Sequence, residues 1–177
     1  MTTIILARHG ETDWNRDGIW QGHGDPPLND VGRKQATELA VRLADVEIDA
    51  LYSSDLRRAY ETAEIIGKAK GLEITADADL REIDIGAWSG LTRAQIEERF
   101  PDMERHDGEA SDAFNARAVG VLRRIAAAHE GARVLVVTHG GVVRALERHV
   151  FGDALTLLGN CETASFSFEG GTFARPD

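Results

Sequence analysis

The sequence predicts an α/β domain with three layers, a mostly parallel central sheet flanked by helices. Three observations lead there. Short apolar runs alternate with stretches of helical periodicity along the chain. No repeat, low-complexity tract or Pro/Ser-rich linker interrupts them. The 177 residues, 42% hydrophobic and 28% charged, suit one domain with a substantial core.

Ile4-Ile5-Leu6-Ala7 is a short apolar run suited to a strand buried on both faces. Ala36, Leu39, Ala40 and Leu43 then repeat at helical spacing, with Asn29 as the expected N-cap. Ala50 to Ser53 reads as a second strand, running into a helix from about Asp55 to Ala69 that Gly71 closes. A short extended piece is expected at 72–75. Thr92 to Gln95 has the form of a capping box, and its helix must stop before Pro101. Another helix should start after Ser111 and end near Gly131. Val134 to Val137 is the most apolar strand, followed by a helix over 142–151. The last strand is expected from Ala164 to Phe168, ended by Gly170-Gly171. The whole chain, 1–177, is read as one catalytic domain with a short lid at about 87–113.

Composition narrows the partners. A formal net charge of −10 argues against nucleic acid or an anionic membrane, since both select basic surfaces. No stretch approaches the ~18–20 apolar residues of a membrane span, and the first residues lack the form of a secretory signal. One cysteine allows no intrachain disulfide, which makes a reducing cytoplasm the expected location. A homodimer is compatible with the sequence.

Two strand ends resemble each other in form: Arg8-His9-Gly10 and Thr138-His139-Gly140-Gly141. Ligands of open parallel sheets bind beyond the carboxyl ends of strands, so both histidines share one mouth if those strands are neighbours. Glycine after each histidine lets an anion approach the backbone N–H groups. Ser54 to Ala59 adds a strand-to-helix junction where one of Arg57 and Arg58 can face the mouth, its planar fork matching two phosphate oxygens. Leu80-Arg81-Glu82-Ile83 offers a carboxylate. This set permits a neutral imidazole to attack phosphorus. Arginines and a protonated His139 would spread over the equatorial oxygens, and Glu82 would move the proton. No metal or cofactor is required.

Leu6 to Thr12, Asn15, Gln21-Gly22, Pro27-Leu28-Asn29, Gly32, Gln35-Ala36, Tyr52 to Ala59 with Thr62-Ala63, Leu80-Arg81-Glu82 with Gly86 and Trp88, and Val137 to Gly141 occur in order over about residues 4–165. Together they resemble the histidine phosphatase superfamily, in its phosphoglycerate-mutase-like branch. The resemblance implies a phosphoglycerate-mutase-like fold and His9 as the phosphorylated nucleophile. It implies a phosphate pocket of Arg8, Arg58, His139 and the Gly140 N–H, with Glu82 as acid and base. Asn15 and Gln21, with adjoining Gly22, look like substrate-binding positions beside Arg8. The expected activity is hydrolysis of small phosphorylated metabolites.

Two departures stand out. Ser89-Gly90 follows Trp88 where the family often has glutamate, read as a change behind the site. The stretch 87–113 is short and acidic, where mutases carry a longer insertion with extra cations. That favours hydrolysis over mutase chemistry and, through Asp102, Glu104, Asp107, Glu109 and Asp112, a substrate with a neutral or polar remainder. Three alternatives stay open: a phosphoglycerate mutase, a metallohydrolase on His9, His139 and Glu82, and a non-catalytic phosphate binder. Trp14 and Trp20 are pocket walls or ordinary packing, His23 sits in a loop over the site, and Arg57 is expected in solvent. Cys161 is expected to be a buried small residue.

Overall fold

The computed structural model describes residues 1–152 and 157–175. Strand β1 (Thr2–Arg8) leads through a single turn, α1 (Asp13–Arg16), into α2 (Asp30–Arg42). Then come β2 (Ala50–Ser53), α3 (Arg57–Lys70), β3 (Ile74–Ala76), α4 (Arg93–Arg99) and α5 (Ser111–Ala128). The chain closes with β4 (Arg133–Thr138), α6 (Gly140–Phe151), β5 (Thr163–Glu169) and β6 (Thr172–Ala174). Short 3₁₀ turns at Ala78–Leu80 and Gly86–Trp88 lie between β3 and α4.

The six strands form one sheet in the order β3-β2-β4-β1-β5-β6. The first four are parallel to one another, and β5 and β6 run antiparallel at the edge. Alternation along the central strands divides the apolar runs between two cores. Ile4, Leu6, Val134 and Val136 meet α5 and α6 through Leu122, Ile125, Val142 and Leu146. Ile5, Ala7, Leu135 and Val137 meet α2 and α3 through Leu39, Ala36, Ala63 and Ile66. Both faces are covered, so these strands show unbroken hydrophobicity instead of a period of two.

The start and stop signals act as expected. The Asn29 side chain accepts from the Gly32 N–H at 2.8 Å to cap α2. Thr92 and Gln95 close the capping box of α4. Gly71 ends α3 at φ 67°, in the left-handed region. At the other edge Gly170-Gly171 does more than end a strand. Both residues have positive φ and form the two-residue turn of the β5–β6 hairpin, which extends the sheet by one strand.

Candidate active site

β1 and β4 lie side by side and parallel, with Arg8 level with Thr138, so His9 and His139 leave the sheet at the same mouth. The His9 N–H donates to the Thr138 carbonyl at 2.9 Å, and the two imidazole centroids stand 5.3 Å apart. β2 ends in the same layer, and the Ser54 N–H donates to the Val137 carbonyl at 3.0 Å. α3 then starts, and its first turn sends Arg58 into the mouth while Arg57 pairs with Glu61 in solvent. The Arg57/Arg58 choice therefore falls on Arg58.

Glu82 arrives from the loop after the first 3₁₀ turn. The Thr138 hydroxyl donates to the Leu80 carbonyl at 2.8 Å, anchoring that loop to the end of β4. The Glu82 carboxylate accepts from the N–H groups of Ile83 at 2.9 Å and Gly141 at 3.0 Å, near the positive end of α6. A side chain on residue 141 would collide with this carboxylate, so glycine there is a matter of close approach. Arg81 is engaged with Asp55, which leaves Glu82 free of it. The His23 Nε2–H donates to the Glu82 carbonyl at 2.9 Å, so His23 touches the carboxylate's backbone instead of overhanging the cavity.

A cavity of about 350 Å³ opens at this mouth. Arg8, His9, Asn15, Gln21, Gly22, Arg58, Glu82 and Gly140 all line it. His139 is fully buried behind it against His9. Trp14 and Trp20 both line the cavity, which makes them walls, and Trp20 also packs edge-on against Trp88. Ser89 donates to the Gln21 carbonyl at 2.8 Å, steadying the Gln21–Gly22 turn from behind.

Three contributors escaped sequence reasoning. Ser54 lies 2.8 Å from His139 Nε2. The Asn160 amide donates to the His9 carbonyl at 2.9 Å, from a loop with no motif of its own. Arg144 lines the cavity one helical turn after Gly140, and that four-residue spacing was the signal available for it.

Electrostatics set the protonation states. Burial first, then the Arg58 charge, holds the His9 pKa well below the ordinary 6.5, against the opposing hydrogen bond to the Gly10 carbonyl. Since Nδ1 lies 2.7 Å from that carbonyl and a neutral ring has one proton, Nδ1 carries it. Nε2 then keeps its lone pair, which accepts from Arg58 Nε at 3.3 Å. Burial and Arg58 likewise depress His139 well below 6.5. His139 is therefore neutral here, whereas the expected imidazolium is a state beside a bound phosphate dianion. Its Nδ1 is buried without a hydrogen-bond partner among the described residues. Burial also lowers Arg58, to about 10, and Arg8. Both remain cations at neutral pH.

A stability consequence follows for the two histidines. Above pH 6.5 they are neutral in both folded and unfolded chains. Below it the unfolded chain binds protons that the folded chain refuses, so stability falls as pH falls. Urea unfolding at pH 7.5 and 5.5 should show a loss approaching about 1.4 kcal/mol per histidine per pH unit below 6.5. Substituting His139 by asparagine should flatten that slope.

Among the described residues, the one three-member cluster within metal-binding reach is Asp102, Glu104 and His106, all exposed and away from the cavity lining. His9, His139 and Glu82 do not converge as a set of ligands.

A parallel sheet that sets two neutral imidazoles, converging arginines and one carboxylate around a cavity defines a phosphate-handling α/β protein. Residues 4–174 match the histidine phosphatase superfamily (branch 1), and the chain belongs to that family. It is 43% identical to phosphoglycerate mutase-like protein 4 of Arabidopsis thaliana, over 81% of this chain and 68% of that protein. It is 35% identical to phosphoserine phosphatase 1 of Hydrogenobacter thermophilus, over 94% of this chain and 85% of the relative. The structure of mycobacterial glucosyl-3-phosphoglycerate phosphatase with VO3 superposes with a TM-score of 0.85 at 32% identity, covering 93% of this chain and 90% of that one.

Proposed function

We propose that this chain is a metal-independent phosphomonoesterase for small phosphorylated metabolites that works through a phosphohistidine on His9. One observation carries the reading: the buried, neutral His9 at the cavity wall, whose Nδ1 is tied to the Gly10 carbonyl and whose Nε2 keeps a lone pair that accepts from Arg58 Nε. Nε2 attacks phosphorus as the ester P–O bond breaks, and protonated Glu82 gives its proton to the leaving alkoxide. Glu82 carboxylate then takes a proton from water as that water attacks phosphorus. The N–P bond breaks, and inorganic phosphate leaves. Arg8, Arg58 and the Gly140 N–H would hold the equatorial oxygens, and an arriving oxygen would give the orphaned His139 Nδ1 its partner. Asn15, Gln21 and Gly22 would bound the same pocket.

The names of two relatives, a phosphoserine phosphatase and a glucosyl-3-phosphoglycerate phosphatase, support hydrolysis. So does the segment 87–113, our lid, which places no cation in the cavity lining. Its start is fastened to the wall by the Trp20 N–H to the Leu91 carbonyl, 2.9 Å, and the Gly90 N–H to the Trp20 carbonyl, 2.9 Å. We take the whole chain as one catalytic domain working in a reducing cytosol, in keeping with its single, buried cysteine. No helix among the described residues is long and apolar enough to cross a membrane.

Glu82→Gln tests the proton path. Phosphate release from an alkyl phosphate should slow by about 10²–10³-fold. With para-nitrophenyl phosphate, whose leaving group needs no proton, the variant should release a burst near one equivalent of nitrophenolate and then stall. Chelator should leave wild-type rates unchanged. Alkyl phosphate turnover at the wild-type rate in Glu82→Gln would reject the assignment.

A further inference from the structure

Arg144 stands out as a cation without a task. It lines the cavity, half-buried, and forms no hydrogen bond or ion pair with another described residue. Its place on α6 puts Nη1 3.3 Å from the position a Cβ on Gly140 would take, and Arg8 Nε lies 3.8 Å from that same point. Two guanidinium groups therefore flank one spot at the head of α6, close enough that the Arg144 charge lowers the pKa of Arg8.

Charge matching says what Arg144 is for. The ionic residues lining the cavity are Arg8, Arg58, Arg144 and Glu82, with His9 neutral. When Glu82 is protonated, as a proton donor must be, a bound phosphate dianion offsets two of the three positive charges. Among the lining groups one positive charge is left over, while Glu162 acts on Arg8 and Asp25 on Arg58 from outside the lining. The acidic residues of 87–113 do not offset it, because none lines the cavity. Asp107 accepts from the Ala87 N–H, Glu109 pairs with Arg117, and Asp102 pairs with His106. The expectation of a neutral remainder, drawn from those acids, thus loses its basis.

We infer that Arg144 forms a second anion subsite beside the phosphate pocket, making the site selective for phosphomonoesters that carry a carboxylate within a few bonds of the ester oxygen. The inference rests on the phosphatase reading above. Proximity to Arg8 limits the span between the two anions, which suits a phosphorylated hydroxy acid of about three carbons. The planar guanidinium can grip both carboxylate oxygens, an arrangement unavailable to a hydroxymethyl group.

The test compares 3-phosphoglycerate with glycerol 3-phosphate, which differ by carboxylate against hydroxymethyl, reading released phosphate. The wild type should favour the carboxylate ester in kcat/KM by about 30-fold, the range of a charged, bidentate hydrogen-bonded contact. In Arg144→Met the ratio should collapse toward one, mainly through KM for 3-phosphoglycerate. Arg144→Lys should restore only part of it. A wild type without preference, or a ratio unchanged in Arg144→Met, overturns the subsite. Absence of turnover with both esters and with para-nitrophenyl phosphate would instead overturn the phosphatase reading on which it rests.

Discussion

Replacing His9 with alanine is expected to lower phosphate release by on the order of 10⁴-fold or more while the chain stays folded. Nothing else in the cavity can take over the attack. His139 is buried behind His9 with no solvent exposure, and its Nε2 is engaged with Ser54. Cys161 is 2% exposed, and burial raises its thiol pKa to about 12, so it supplies no thiolate at neutral pH. The fold should tolerate the change because His9 contributes to neither large hydrophobic core. Among the described residues its side-chain bonds reach only Gly10 and Arg58. Circular dichroism and a urea midpoint near the wild-type value would show the loss to be chemical. Turnover within tenfold of wild type would end the nucleophile assignment.

Arg58→Ala should act on both activity and stability. Arg58 is the largest fully buried side chain among the described residues, and it donates to the carbonyls of Gly24 at 2.7 Å and Gly22 at 2.9 Å. Truncation removes those donors and leaves a void beneath the Gly22–Gly24 loop. The cost should be about 2 kcal/mol, since relief of the buried charge offsets part of the loss. Losing a preorganised cation at the phosphate should lower kcat/KM by on the order of 10³-fold. The pH profile should move as well. Arg58 is the second cause, after burial, of the low His9 pKa, so its removal raises that pKa. His9 then protonates at higher pH, and the acidic limb of kcat/KM shifts upward. An unmoved limb, or activity within tenfold of wild type, would contradict this account.

Much of this architecture was legible in the sequence because local signals and tertiary demands agree. Asn29, Thr92 and Gly71 each have a capping role that needs only near neighbours in the chain. The apolar runs of β1 and β4 reflect burial on both faces, and glycine after each histidine reflects crowding at the mouth. What escaped depended on distance along the chain. Asn160 meets the His9 carbonyl across 151 positions, with no pattern around it to mark the contact. The charge of His139 could not be read either, because it depends on complete burial and on Arg58 arriving from another helix. The hairpin was half visible: Gly170-Gly171 was read as an ending, though paired glycines also suit a turn between strands. The direction of the acidic stretch was not legible, because composition shows charge and not direction, and Glu109 turns to Arg117 instead of the cavity.

The central claim is a covalent intermediate on one named atom. Wild-type enzyme and His9→Ala would be mixed with a phosphomonoester labelled in its phosphate and quenched within the first turnover under alkaline denaturing conditions, which preserve phosphohistidine. Peptides would then be mapped by mass spectrometry. The account predicts one phosphoryl group on the peptide containing His9 in the wild type and none in the variant. Label on another residue, or turnover by His9→Ala at a wild-type rate without any phosphoenzyme, would contradict it.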